Sequence, residues 1–180
     1  MRFLLKWTVI AGIFGGFIYY MNKIEDDKER EMQAQLFPYN EQISRYLVKK
    51  SVANSRIAAK GNVIFVNEKT RKVDKFSDYT IGPYNQPKSP NEVDSVVLHN
   101  CEYVQIDSYS NGSKALQQTC GFTVVDVASG IWSNWGEFKG TMPAAEIKRK
   151  RGSTSDERGG KAIYSFFDAG GLVTRRTAPQ

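Results

Sequence analysis

The stretch that decides the fold is Lys114 to Val127, KALQQTCGFTVVDV. Leu116, Cys120, Phe122 and Val124 share one parity, and Gln117, Thr119, Gly121 and Thr123 hold the other. Alternation of that kind is the signature of a half-buried antiparallel strand, because successive side chains point to opposite faces of a sheet. Before it, Ser95 to Ile106 is a second extended segment, and Tyr109-Ser-Asn-Gly112 separates the two as a hairpin turn. After it, Ser129-Gly130 turns the chain into Ile131 to Phe138. The expectation is therefore an antiparallel β-meander.

Further out the period changes. Asn62 to Val66 (NVIFV) reads as a strand, Asn67 to Lys72 as its turn, and Lys72 to Phe76 as a weaker return strand. Asp78 to Asn91 is rich in Pro, Gly, Asn and Ser and reads as a long loop. Ile24 to Leu36 is polar all round, which suits a solvated helix. Pro38 is expected to interrupt it, and Asn40 to cap a second helix with Ile43, Tyr46, Leu47 and Val52 along one face. Past Pro143 a charged, Gly- and Ser-rich segment leads to AIYSFF (162–167), a closing helix or an edge strand, and then to a frayed tail.

The N-terminus places the chain. Trp7 to Met21 carries no charge, and counted from Phe3 the run has 19 residues, about 28 Å as a helix. Trp7, Tyr19 and Tyr20 sit where interfacial aromatic belts would be. A cleavable signal peptide is the competing reading, but Ile18-Tyr19-Tyr20-Met21-Asn22 lacks the small residues of a cleavage site. Arg2 and Lys6 in a short stub favour the N-terminus inside and the body outside, in a bacterial inner membrane. Gly12 and Gly16, with Ala11 and Gly15, are spaced for close helix–helix contact and hence for a homodimer through the anchor.

The fold class expected is α+β: an N-terminal transmembrane helix and helical stalk followed by a mostly antiparallel β-meander. The organisation is a stub (1–6), an anchor (7–22), a stalk with a second helix (23–58), a β domain (59–145), a basic loop (146–161), a closing element (162–168) and a tail (169–180).

Cys101 and Cys120 flank the hairpin. A two-residue turn at Asn111-Gly112 makes paired positions sum to 223, and the cysteines then lie on a diagonal too long to bridge. A four-residue loop from Tyr109 to Gly112 makes them sum to 221 and places Cys101 opposite Cys120. In a body outside the cytoplasm this reads as a structural disulfide, with two buried free thiols as the alternative.

The chain has 180 residues and a net charge of +6. Arg2, Lys6 and Lys23 flank the anchor, which leaves 22 basic against 19 acidic residues in the body, or +3. That balance does not suit a nucleic-acid binder. Lys148, Arg149, Lys150 and Arg151 form one basic cluster, read as a solvated loop or a patch facing anionic head groups. One histidine, His99, and two cysteines cannot make a four-ligand zinc set. No phosphate loop or nucleophile elbow is present, so no catalytic residue, metal or cofactor is assigned. Trp132 and Trp135 fall out of phase, so one points away from the core face. With Phe138 it is a candidate interface.

Asn91-Glu92-Val93, Gln118-Thr119-Cys120, Val124-Val125-Asp126 and Phe138-Lys-Gly140 together resemble an uncharacterised bacterial domain of secreted or membrane-anchored proteins. The likeness runs from about Lys60 to Phe167 and includes GNVIFVNEKTRKVD. It departs at Leu116, where that pattern has an aromatic, and at Met142-Pro143, where it has two prolines. The resemblance implies location and fold, and no activity. The function expected is a membrane-tethered interaction or assembly module outside the cytoplasm, with an envelope protein as partner. A domain binding a small ligand or envelope polymer is the alternative, and a hydrolase of unrecognised type is a third reading.

Overall fold

The computed structural model describes residues 2–74, 86–145 and 156–173, with the side chains of residues 2–18 outside the description. It divides into two compact units, 1–38 and 39–180. The first is the body of a helix, α1 (Arg2–Glu41). Among the described residues no helix is long and apolar enough to cross a membrane. Most of the apolar run Phe3–Met21, including Ala11, Gly12, Gly15 and Gly16, has its side chains outside them. Pro38 does not interrupt α1, contrary to the sequence reading. It stands in the last turn, where only one intrahelical bond is forfeited.

The second unit is an α+β domain around a seven-stranded mixed sheet. Its strands are β1 (Ser51–Val52), β2 (Val63–Asn67), β3 (Lys72–Val73), β4 (Ser95–Ser108), β5 (Lys114–Asp126), β6 (Ile131–Lys139) and β7 (Glu157–Arg158). The order is β1-β6-β5-β4-β2-β3, with β7 beside β5. The expected meander is its centre, since β4, β5 and β6 are antiparallel neighbours. The periphery corrects the expectation of a mostly antiparallel sheet: β1 runs parallel to β6, β2 to β4 and β7 to β5. The alternation expected of β5 is present from Cys120 to Val124, where Gly121 and Thr123 are only partly buried. Val125 on one face and Phe122 and Val124 on the other are all nearly inaccessible.

The second helix shrinks to one turn, α2 (Ile43–Tyr46), and Val52 lies instead in β1, paired with Trp132. Asn40 does not cap it. Its side-chain oxygen accepts the N–H of Val73, closing the free edge of β3. Tyr39 and Tyr46 are buried and donate their hydroxyls to the carbonyls of Pro87 and Pro90. Burial pushes the Tyr46 hydroxyl up to about 12; Tyr39 adds to this and Arg45 opposes it. The folded value lies above the unfolded one near 10, so the contribution is full below pH 10 and is lost as pH rises towards 12. Urea midpoints should therefore fall between pH 10 and 12, and Tyr46→Phe should flatten that fall. A Tyr46→Phe profile with the wild-type slope would contradict the assignment.

The principal core lies between the sheet and α3 (Ala162–Asp168), the helical alternative for AIYSFF. Phe166, wholly buried, stacks on Phe122 with ring centres 4.5 Å apart. Trp135 and Phe138 meet it edge-on at 5.2 and 5.8 Å. Both reach this face because β6 is bulged. Asn134 pairs with Thr123 and Gly136 with Phe122, so Trp135 is the extra residue. Gly136 takes the left-handed conformation (φ 83°) that this bulge needs.

Candidate functional site

The feature that distinguishes the domain is the length of β4 and β5. β2 pairs with β4 only from Ser95 to His99, whereas β5 accompanies it to Ser108. Among the described residues nothing pairs with the other side of β4 from Asn100 onward. β5 is covered instead: β6 pairs with it from Thr119 on, and β7 takes over at Ala115 and Leu116.

The outward groups of that edge can be identified from the ladder. The Cα atoms of Cys101 and Cys120 are 4.1 Å apart, the close spacing of a non-hydrogen-bonded antiparallel pair. Residues in such pairs turn their own N–H and C=O away from each other. On β5 this is visible directly, since the Gln118 and Leu116 carbonyls accept the N–H groups of Gly140 and Gly159. Their partners on β4 are Tyr103 and Gln105. Cys101, Tyr103 and Gln105 therefore present main-chain donors and acceptors to the open edge. Tyr103, Val104 and Ile106 are 40%, 42% and 38% exposed. Between Cys101 and Ser108 there is no lysine or proline of the kind that blunts natural edges, only Glu102, Asp107 and a bulge at Ile106. Arg158 of β7 lies 4.9 Å from the Tyr103 ring centre and steadies it.

The disulfide joining Cys101 and Cys120 crosses the base of this arm. The register that makes it possible comes about differently from the sequence expectation. At the turn Ser108 faces Lys114, so five residues, Tyr109 to Ser113, form the loop and positions sum to 222. The bulge between Gln105 and Asp107 then restores the sum of 221 at the cysteines. A cross-strand disulfide belongs to an oxidising, extracytoplasmic environment.

Beside it is a cluster that the sequence did not indicate. His99, 6% exposed, places Nε2 2.6 Å from the Asp74 carboxylate. Its Nδ1 is 3.5 Å from the Cys101 sulfur. A carboxylate only accepts, so Nε2 carries a proton, and Nδ1 is the ring nitrogen on the sulfur side.

At the opposite end of the sheet an open cleft of about 450 Å³ is lined by Lys60, Gly61, Asp94, Asp126, Ala128 and Val173. Its carboxylates are already engaged. Asp94 accepts the Asn62 N–H, and Asp126 accepts the N–H and hydroxyl of Ser129 and faces Lys60 at 3.7 Å. Burial alone would raise Asp126, but the Ser129 bonds and the Lys60 charge hold it below its ordinary value. Among the described residues no three His, Cys, Asp or Glu side chains converge to hold a metal.

Of the candidate interface residues, Trp135 and Phe138 belong to the core. Trp135 is 5% exposed and donates its indole N–H to the Ile57 carbonyl. Trp132 lies on the other face, partly buried, with the Lys49 ammonium 5.5 Å from its ring centre. Its own indole nitrogen is buried without a partner among the described residues. Lys148, Arg149, Lys150 and Arg151 lie outside the described residues. Comparison with protein-family models, with curated proteins and with solved structures finds no match to this chain.

Proposed function

We propose that this chain is a membrane-tethered interaction module outside the cytoplasm, working by binding rather than turnover. Its β4 edge takes up an extended segment of an envelope-protein partner as an added strand. The observation that carries this reading is the run of open main-chain groups at Cys101, Tyr103 and Gln105 on a disulfide-braced arm. Strand addition draws affinity from such groups and specificity from alternate side chains. Glu102 and Asp107 are the only carboxylates on β4, so a complementary strand carries Lys or Arg beside apolar residues.

The apolar run Phe3–Met21 supports a single pass through a bacterial inner membrane with the N-terminus cytoplasmic. The Gly12/Gly16 spacing supports pairing of anchors. The disulfide supports the body's place in an oxidising compartment. Binding of a small ligand at an aromatic edge has less to rest on, because two of its three aromatic residues are core.

The test is crosslinking in intact cells from a photoreactive residue at Gln105, with Asn134 on β6 as the control position. A partner adduct from Gln105 that falls at least about tenfold with Tyr103→Pro is expected, since that proline removes an outward donor and leaves the β4–β5 ladder intact. Equal yields from both positions, or a yield indifferent to Tyr103→Pro, would rule the reading out.

A further inference from the structure

We propose that the Cys101–Cys120 disulfide is a thiol–disulfide exchange centre, with Cys101 as the exchanging sulfur, Cys120 as the resolving one and His99 as the acid–base group. This goes beyond the interaction reading and does not depend on it.

The two sulfurs are unequal. Cys120 is 1% exposed, while Cys101 is only partly buried and lies at the start of the open edge. An incoming thiolate therefore reaches the Cys101 sulfur. A new sulfur–sulfur bond forms there, the Cys101–Cys120 bond breaks, and its electron pair leaves on Cys120. A second thiolate attacks the incoming sulfur of this mixed disulfide, and Cys101 departs as a thiolate. Two external thiols are thereby oxidised to one disulfide and the protein disulfide is reduced to two thiols. In reverse, the Cys101 thiolate attacks an external disulfide and Cys120 resolves the adduct. The partner is a thiol or dithiol in one direction and its disulfide in the other.

His99 is placed for the proton. With Nε2–H held by Asp74, Nδ1 is the basic atom and faces Cys101 at 3.5 Å. It can take the thiol proton and leave an imidazolium between thiolate and carboxylate, the arrangement that makes a cysteine reactive. Asp74 acts through the ring and is a positioning residue. Among the described residues the other ionisable groups on this side of the arm are Tyr103 of β4 and Arg158 of β7, whose guanidinium lies 4.9 Å from the Tyr103 ring centre. Glu102 has the opposite parity on β4, and β5 presents only Cys120. β6 and α3 contribute Phe138 and Phe167 to the cluster that Cys101 flanks. Lys72 of β3 is exposed two strands away.

The experiment is iodoacetamide alkylation of the reduced full-length chain from pH 5 to 10, with each cysteine followed by mass spectrometry. Accessibility alone would favour Cys101 at every pH, so the profile is what decides. At pH 6 Cys101 is expected to react about tenfold faster than glutathione, itself an ordinary thiol, and to lose about tenfold with His99→Gln or Asp74→Asn, with little change at pH 10. Oxidised glutathione should be captured at Cys101 and not at Cys120. If a variant does not fold, the wild-type comparison with glutathione still decides. A Cys101 profile like that of glutathione would overturn the proposal, as would a reduced chain that has lost its near-ultraviolet circular dichroism.

Discussion

Phe166→Ala is expected to lower the unfolding free energy by about 4 kcal/mol, the largest effect of any single truncation here. The ring is completely buried and stands among Phe122, Trp135, Phe138 and Phe167. None of these can collapse into the gap, because Phe122, Trp135 and Phe138 are fixed by the β5–β6 ladder. The floor is equally rigid. A Cβ on Gly171 would fall 2.2 Å from the Phe166 ring, so the backbone is already in contact with it. A loss of that size is comparable with the whole stability of many domains. It would appear in urea denaturation as a lowered midpoint at unchanged slope. A loss below about 1 kcal/mol would mean that α3 does not close the core.

The second large effect is removal of the disulfide. Cys101 and Cys120 are 19 residues apart, and cross-linking a loop of that size restricts the unfolded chain by about 3 kcal/mol. The double variant Cys101→Ala/Cys120→Ala should lose that amount and become indifferent to reducing agent. The wild type should lose the same amount on reduction. The loss should concentrate in the arm beyond His99, where among the described residues no strand other than β5 pairs with β4. Equal urea midpoints for the oxidised wild type and the double variant would show that the hairpin is held without the link.

The meander was legible in the sequence because its signals are local. Alternation in KALQQTCGFTVVDV, turn residues at Asn111-Gly112 and at Ser129-Gly130, and two opposable cysteines lie within a few dozen residues of one another. The parallel pairings were not legible. β2 meets β4 across a long connection, and nothing in NVIFV indicates that it has SVVLH as a second neighbour beside the returning Lys72-Val73. The His99–Asp74 pair depends on that pairing, since it joins residues 25 apart on strands brought together by β2. Trp135 and Phe138, three apart, read as facing opposite ways on a regular strand. One bulged residue put both in the core. The disulfide register was reached by an incorrect loop length that a bulge at Ile106 compensates. Bulges shift the phase by one without altering the pattern of residue types, so strand arithmetic fails where they occur. The open edge had one faint signal. A long extended run, Ser95 to Ile106, was followed by a matching return, with only five residues of NVIFV available to lie beside it.

Amide hydrogen exchange at Tyr103 and Gln105 tests the central claim most directly. It would be compared between the isolated full-length chain and the assembly extracted with it in mild detergent. Both N–H groups point away from β5, so in the isolated chain they should exchange far faster than Val104, whose N–H lies within the ladder. In the assembly both should become protected while Val104 is unchanged. Protection at Tyr103 and Gln105 that is already present in the isolated chain, or absent from the assembly, would contradict strand addition at this edge.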